Sequence, residues 1–314
     1  MIEQISLRKT FGECLEKLGG KNKNLVVLDS DLSNSLYSLN FAKSFPDRHF
    51  TVGMGENAML SMAAGMTARG KLPFVCGETS QLLFKGLDSI KNSIAYPNLN
   101  IKIIGSNSGL TNAEEGTPRM CTNDLAILNS LPNLKILAPV DSIELKSMME
   151  FMISDFGPTF LRLPKISLPN IYDANYQFKL GEPDLIQKGD KITIFSYGHM
   201  IHECLKTCSE LANRGIASQV INVSTLNPLN TQKILDIIQL SELIFTVEDH
   251  QIPGGLGSLI IELLHKNELN SSKVISMGIT GYPETASHYQ DMLQRTGLNA
   301  KAIYEKIRES WLEH

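Results

Sequence analysis

Apolar residues in this 314-residue chain follow two alternating patterns. Short, mainly apolar runs, such as LVVL at 25–28, IKII at 101–104 and IFTV at 244–247, are separated by longer stretches. In those stretches Leu, Ile, Met and Ala recur every three or four positions. Runs of the first kind read as strands and stretches of the second as amphipathic helices. The order predicts a helix over 7–18 closed by Gly19 and Gly20, a strand at 25–29 and a polar loop to Ser35. A short helix at 41–45 ends at Pro46, a strand at 50–52 follows, and a helix opens at Glu56. Then come a strand at 72–76, a helix at 82–96 stopped by Pro97, and a strand at 100–105. A polar loop at 106–122 leads to a helix from Asn123, a strand at 134–138, a helix at 143–154 and a strand at 159–163. The stretch 164–188 carries Pro164, Pro169 and Pro183 without helical period and reads as a connector. The alternation then restarts with strands at 191–197, 218–223, 243–248 and 273–277. Helices at 202–214, 231–238, 258–264, 286–296 and 300–311 separate or follow them.

Strands alternating with helices at this spacing mean βαβ units and mostly parallel sheets. The expected fold class is α/β: two successive three-layer domains over 1–168 and 189–314, with 169–188 as linker. A length of 314 residues also exceeds one typical core. The 106–122 loop is long for such units and follows a strand C-terminus, where open α/β sheets bind ligands.

Composition narrows the function classes. Hydrophobic content of 42% and charged content of 20% fit an ordinary globular protein. A net charge of −4 leaves no basic footprint for nucleic acid. No apolar run reaches membrane-spanning length, and the amphipathic, partly acidic N-terminus lacks a signal-peptide core. Five cysteines without CxxC spacing suit a reducing cytoplasm. Cys204 and Cys208 share a helix face near His202, but a metal site needs more convergent ligands, so a buried face is the simpler reading. Glu248-Asp249-His250 is a candidate site by residue type, read as structural for want of a partner. Pro253-Gly-Gly-Leu-Gly257 could cradle a phosphate, yet lacks the phosphate-loop lysine and reads as a packing turn.

The most informative stretch is HFTVGMGENAMLSMAAGMTARGKLP at 49–73. Gly53 and Gly55 permit a tight turn. Glu56 then opens a helix of small residues and methionines, where a carboxylate favours the dipole. The run resembles the G-[IV]-x-E-x-x-M-x-x-x-A-x-G motif of the transketolase family of thiamine-diphosphate enzymes, met here by Gly53, Met54, Glu56, Met59, Ala63 and Gly65. The resemblance continues through VVLDSDLSNS (26–35), SIKNSIAYPNLNIKIIG (89–105), DLAILNSLPNLKILAPVD (124–141), GPTFLRLPK (157–165) and EDHQIPGGLGS (248–258).

That resemblance implies a pyrimidine-binding domain followed by the family's C-terminal domain, the C-terminal subunit of a split transketolase. It makes Glu56 the catalytic residue that bonds the cofactor's aminopyrimidine. Asp31, Leu32, Glu78, Gln81 and Phe84 fall at cofactor-lining positions. Ser35, Asn107, Glu115, Arg119 and Arg162 fall at substrate positions, the two arginines facing anionic groups. Mg²⁺ and the diphosphate need oxygen ligands. The nearest stretch, Gly189-Asp190-Lys191, lacks the second glycine of the family's Gly-Asp-Gly. The expectation is therefore half a site, with thiamine diphosphate and Mg²⁺ held mainly by an N-terminal partner subunit and the whole assembled as a dimer of heterodimers. No metal ligands are assigned to this chain.

Departures from the family concentrate at the substrate. Glu78 and Gln81 stand where aromatics are expected, Asn107 for a histidine, Glu115 for an aspartate and Arg119 for a histidine. Arginine cannot exchange protons near neutrality as imidazole does. The function expected is transfer of a two-carbon ketol unit from a ketose, a phosphate or other anionic sugar, to an aldose. The alternatives are an enzyme using a 2-oxo acid donor, like deoxyxylulose-phosphate synthase or a 2-oxoacid dehydrogenase β subunit, and a non-catalytic assembly subunit.

Overall fold

The computed structural model describes residues 3–271 and 273–313. Its first half runs β1 (Ile5–Ser6), α1 (Leu7–Lys21), β2 (Leu25–Asp29), α2 (Leu39–Ser44), β3 (His49–Thr51), α3 (Glu56–Thr67), β4 (Leu72–Glu78) and α4 (Thr79–Asp88). It continues through β5 (Lys102–Ser106), α5 (Asp124–Leu128), β6 (Lys135–Leu137), α6 (Ser142–Ser154), β7 (Thr159–Arg162) and β8 (Ser167–Leu168). The second half runs β9 (Asp184–Gln187), β10 (Ile192–Ser196), α7 (Met200–Ala212), β11 (Ser218–Asn222), β12 (Thr225–Asn227) and α8 (Thr231–Gln239). It ends with β13 (Leu243–Gln251), α9 (Leu256–Lys266), β14 (Val274–Ile279), α10 (Tyr289–Arg295) and α11 (Ala300–Glu313).

Both halves are α/β with mostly parallel sheets, as the alternation predicts. The central strands β2, β4, β5 and β10 are buried along their whole length, which is why they read as mainly apolar runs rather than alternating ones. The first sheet is ordered β12-β6-β7-β5-β4-β2-β3 and the second β14-β13-β10-β11-β9. Only the edge strands β12 and β9 run antiparallel within them. The halves are interleaved: β12 follows β11 of the second sheet yet pairs with β6 of the first, Thr225 opposite Leu137. Among the described residues no helix is long and apolar enough to cross a membrane.

Several predicted boundaries move for physical reasons. Gly19 and Gly20 lie inside α1 instead of ending it. A Cβ at Gly19 would stand 2.4 Å from the Phe41 ring, so glycine serves the close approach of α2. The helix predicted over 82–96 begins earlier, at Thr79, and turns into a π-helix over Ser89–Ala95. Strand β13 extends to Gln251, which puts Glu248, Asp249 and His250 on a buried strand. The connector ends in a strand, β9. The face of α7 bearing Cys204 and Cys208 is buried, and His202 Nε2 meets the Val140 carbonyl at 3.2 Å. The Pro253–Gly257 turn holds no open cradle, because the Glu248 carboxylate accepts the Leu256 and Gly257 amides at 2.8 and 3.0 Å.

Candidate functional site

Strands β2, β3, β4 and β5 are neighbours, and their C-terminal ends open on one cleft of about 230 Å³. This is where a parallel sheet presents its loops. Asp31 and Leu32 reach it from the turn after β2, Glu56 from the start of α3, and Glu78 and Gln81 from the junction of β4 with α4. Glu115 and Arg119 reach it from the 106–122 loop, and Ser30 and Met54 complete the lining. Residues scattered over nearly 90 positions thus converge because four strands share one edge.

The local folds are specified residue by residue. Asp29 is wholly buried at the end of β2; its carboxylate accepts the Leu32 amide at 2.5 Å and the Ser38 hydroxyl at 2.7 Å. Burial raises its pKa, against the pull of those donors. The turn it fixes carries Asp31 at φ +66°. Gly53, at φ +68°, makes the turn into α3, and Glu56 follows as the first helical residue, 3% exposed.

Most charges in the cleft are already paired. Lys85, which the sequence reading missed, places Nζ 3.4 Å from Glu56 Oε2. Its signal was the four-residue step from Gln81 along α4. Arg119 Nη1 donates to Glu78 Oε2 at 2.6 Å, and its Nε lies 3.7 Å from Glu115 Oε2. The hydrogen bond to Glu78, then that carboxylate's charge, raises the Arg119 pKa further. Asn107 Nδ2 donates to the other Glu78 oxygen at 3.1 Å. Four carboxylates (Asp31, Glu56, Glu78, Glu115) face two cations (Arg119, Lys85), so the cleft is acidic on balance.

The remaining predicted residues lie elsewhere. Phe84 is 62% exposed and borders a separate recess of about 400 Å³ with Thr117, Tyr282 and Pro283. Ser35 accepts a 2.7 Å hydrogen bond from Arg8. Arg162 is the clearest correction. It is 3% exposed, with Nε 2.7 Å from Asp124 and Nη1 2.8 Å from Asp249, a buried pair joining the two halves. Burial alone would lower its pKa, but Asp124 and Asp249 together raise it. A guanidinium so engaged has no fork left for a substrate phosphate.

The lining of the cleft is chemically suited to the ring end of a thiamine-type cofactor. A buried carboxylate at a helix N-terminus, Glu56, suits a ring nitrogen, and the acidic balance suits a cationic thiazolium. Among the described residues no set of three His, Cys, Asp or Glu side chains converges for a metal.

Comparison with known proteins identifies the family. The family model for the transketolase pyrimidine-binding domain matches residues 3–170, and that for the transketolase C-terminal domain matches 181–303. A putative transketolase C-terminal section from Methanocaldococcus jannaschii is 33% identical, over 96% of this chain and 95% of its own. The 6-deoxy-6-sulfo-D-fructose transketolase subunit of a Clostridium species is 32% identical, over 85% of this chain and 83% of its own. A solved split-gene transketolase, described as an inactive β4 tetramer, superposes with a TM-score of 0.89 at 29% identity, covering 97% of this chain and 98% of that one.

Proposed function

The chain belongs to the transketolase family, and from that premise we propose that it is the C-terminal subunit of a two-chain transketolase. It transfers a two-carbon ketol unit from a ketose to an aldehyde, and works only beside an N-terminal subunit that brings the diphosphate and Mg²⁺ site. The observation that carries this reading is Glu56, buried at the head of α3 and lining the acidic cleft.

Thiamine diphosphate, when bound, supplies the carbanion chemistry that amino-acid side chains lack. This chain's residues do the rest. Glu56 offers a carboxylate to the aminopyrimidine, with Lys85 yielding it as a half-exposed partner able to swing to solvent. Asp31, Glu78 and Glu115 balance positive charge in the cleft. Glu115 and Asn107 are the groups for the donor's hydroxyls, and Arg119, neutralised by Glu78, orients rather than neutralises.

A 2-oxo acid donor needs a cation free for its carboxylate. Arg119 and Arg162 both already face carboxylates, which favours a ketose. The deciding experiment titrates thiamine diphosphate with Mg²⁺ into the lone chain and into the chain co-expressed with its partner, followed by assays with a panel of ketoses and with pyruvate. Binding by the pair alone, ketose cleavage, and a loss of about a hundredfold or more in Glu56→Gln are the expected results. No cofactor binding by the pair sinks the enzyme reading, and turnover of pyruvate alone replaces the donor.

A further inference from the structure

Among the described residues the second domain sends no side chain into the cleft, yet it grips the loop that supplies Glu115 and Arg119. Thr117, between those two, donates from its hydroxyl to the Pro283 carbonyl at 2.5 Å. The Ala286 amide donates to the Ala113 carbonyl at 3.1 Å. Gly116, at φ +75°, lies under Thr285, so close that a Cβ there would stand 2.6 Å from the Thr285 methyl. Gln251, at the end of β13, ties the two loops together: its amide nitrogen donates to Thr122 O at 2.6 Å, and its Nε2 to Gly281 O at 2.6 Å and Thr122 Oγ1 at 3.3 Å. Arg295 braces the far side by donating to Thr285 O at 3.0 Å.

We propose that the 280–286 loop and Gln251 are positioning elements of the substrate site, through which the second domain sets where Glu115 and Arg119 stand. The inference rests on the ketol-transfer reading. The physical reason is that 112–120 holds only short turns of its own, Glu115 N returning to Asn112 O at 3.2 Å, and Arg119 N and Met120 N both to Gly116 O at 3.0 Å. A loop with so little internal structure wanders unless its surroundings over-determine it. Misplacement of binding groups by about an ångström is enough to cost orders of magnitude in rate.

The test compares Thr117→Val, which keeps the shape and loses the donor, with Thr117→Ser, which keeps the donor. In the lone full-length chain, Thr117→Val speeds amide exchange across 113–122 while exchange in β4 and β5 stays as in wild type. In the assembled pair, the KM for whichever ketose the wild type cleaves fastest rises roughly tenfold, about one hydrogen bond's worth. There kcat stays within about twofold and Thr117→Ser restores KM. Gln251→Met does the same without touching the loop's own sequence. Unchanged exchange in Thr117→Val overturns the proposal, as does a fall of kcat and Tm together with KM unmoved. If the wild-type pair cleaves no ketose, the functional reading fails, and the clamp is then judged on the exchange result alone.

Discussion

Glu78 stands where the family's pattern has an aromatic ring, and its chemistry changes what the cleft can hold. Its carboxylate engages Arg119 and Asn107 at once. Glu78→Gln keeps the shape and frees the arginine, so sulfate should inhibit the assembled pair several-fold more strongly than it inhibits wild type; equal inhibition means Arg119 was already available. A second residue-scale expectation concerns Glu144, buried on α6. Burial pushes its carboxyl up to about 7 against hydrogen bonds from Val140 N and Asn222. Tyr176 has one hydroxyl proton, and its shorter contact is to Asp184 at 2.7 Å rather than to Glu144 at 3.2 Å. A protonated Glu144 supplies the missing one. Its folded pKa lies above the unfolded value of about 4.3, so its contribution is complete below pH 4 and fades as pH rises through about 7. Stability should therefore fall between pH 5 and 7, by on the order of 1 kcal/mol per pH unit, and the slope should flatten in Glu144→Gln, read by urea unfolding across that range. Glu56 and Asp31 were legible in the sequence because contiguous runs carried them. Lys85 was not, since nothing in a lone lysine announces its partner.

At the scale of elements, glycines show how packing overrides local rules. Gly19-Gly20 has the composition of a helix stop, yet α1 runs through it to Lys21. Alanine is the better helix former by roughly 1 kcal/mol, so Gly19→Ala should stabilise an isolated helix. In this fold its methyl meets Phe41 and Phe45, and overpacking costs typically about 1–3 kcal/mol. The urea midpoint of Gly19→Ala should fall; a rise would show that α2 can retreat. The same logic accounts for other shifts. The π-helix over Ser89–Ala95 and the strand β12 leave no signature in apolar period, because one repeats a helix-like pattern and the other is only three residues long. Elements built on a compact apolar run, such as β2 and β5, fell where predicted to within two residues.

Over the whole molecule, the two halves depend on each other. β12 edges the first sheet, and Arg162 of β7 is sandwiched between Asp124 of its own half and Asp249 of the other. Burial alone would raise the Asp249 pKa, but the Arg162 charge, then His199, hold it below the usual carboxylate range. Removing one member of a buried pair leaves the other uncompensated, which costs about 3–5 kcal/mol. Arg162→Ala should lose that much in urea unfolding, and Arg162→Met with Asp124→Asn and Asp249→Asn should recover part of it. No recovery would show that packing, not charge, is what Arg162 provides. Residues 1–170 expressed alone expose the β6 edge that β12 covers and should aggregate; a monomeric, cooperatively folding fragment would contradict this.

The sequence by itself determined the strand-helix alternation, the two α/β halves, the family and the Glu56 signature, since each rests on periodicity or on a contiguous run. Tertiary structure decided which charged residues meet: Lys85 with Glu56, Arg119 with Glu78, and Arg162 with Asp249 across 87 positions. It also decided that the second domain clamps the 113–122 loop. Such pairings depend on where two segments lie in space, and a charge carries no mark along the chain of the partner that burial will give it.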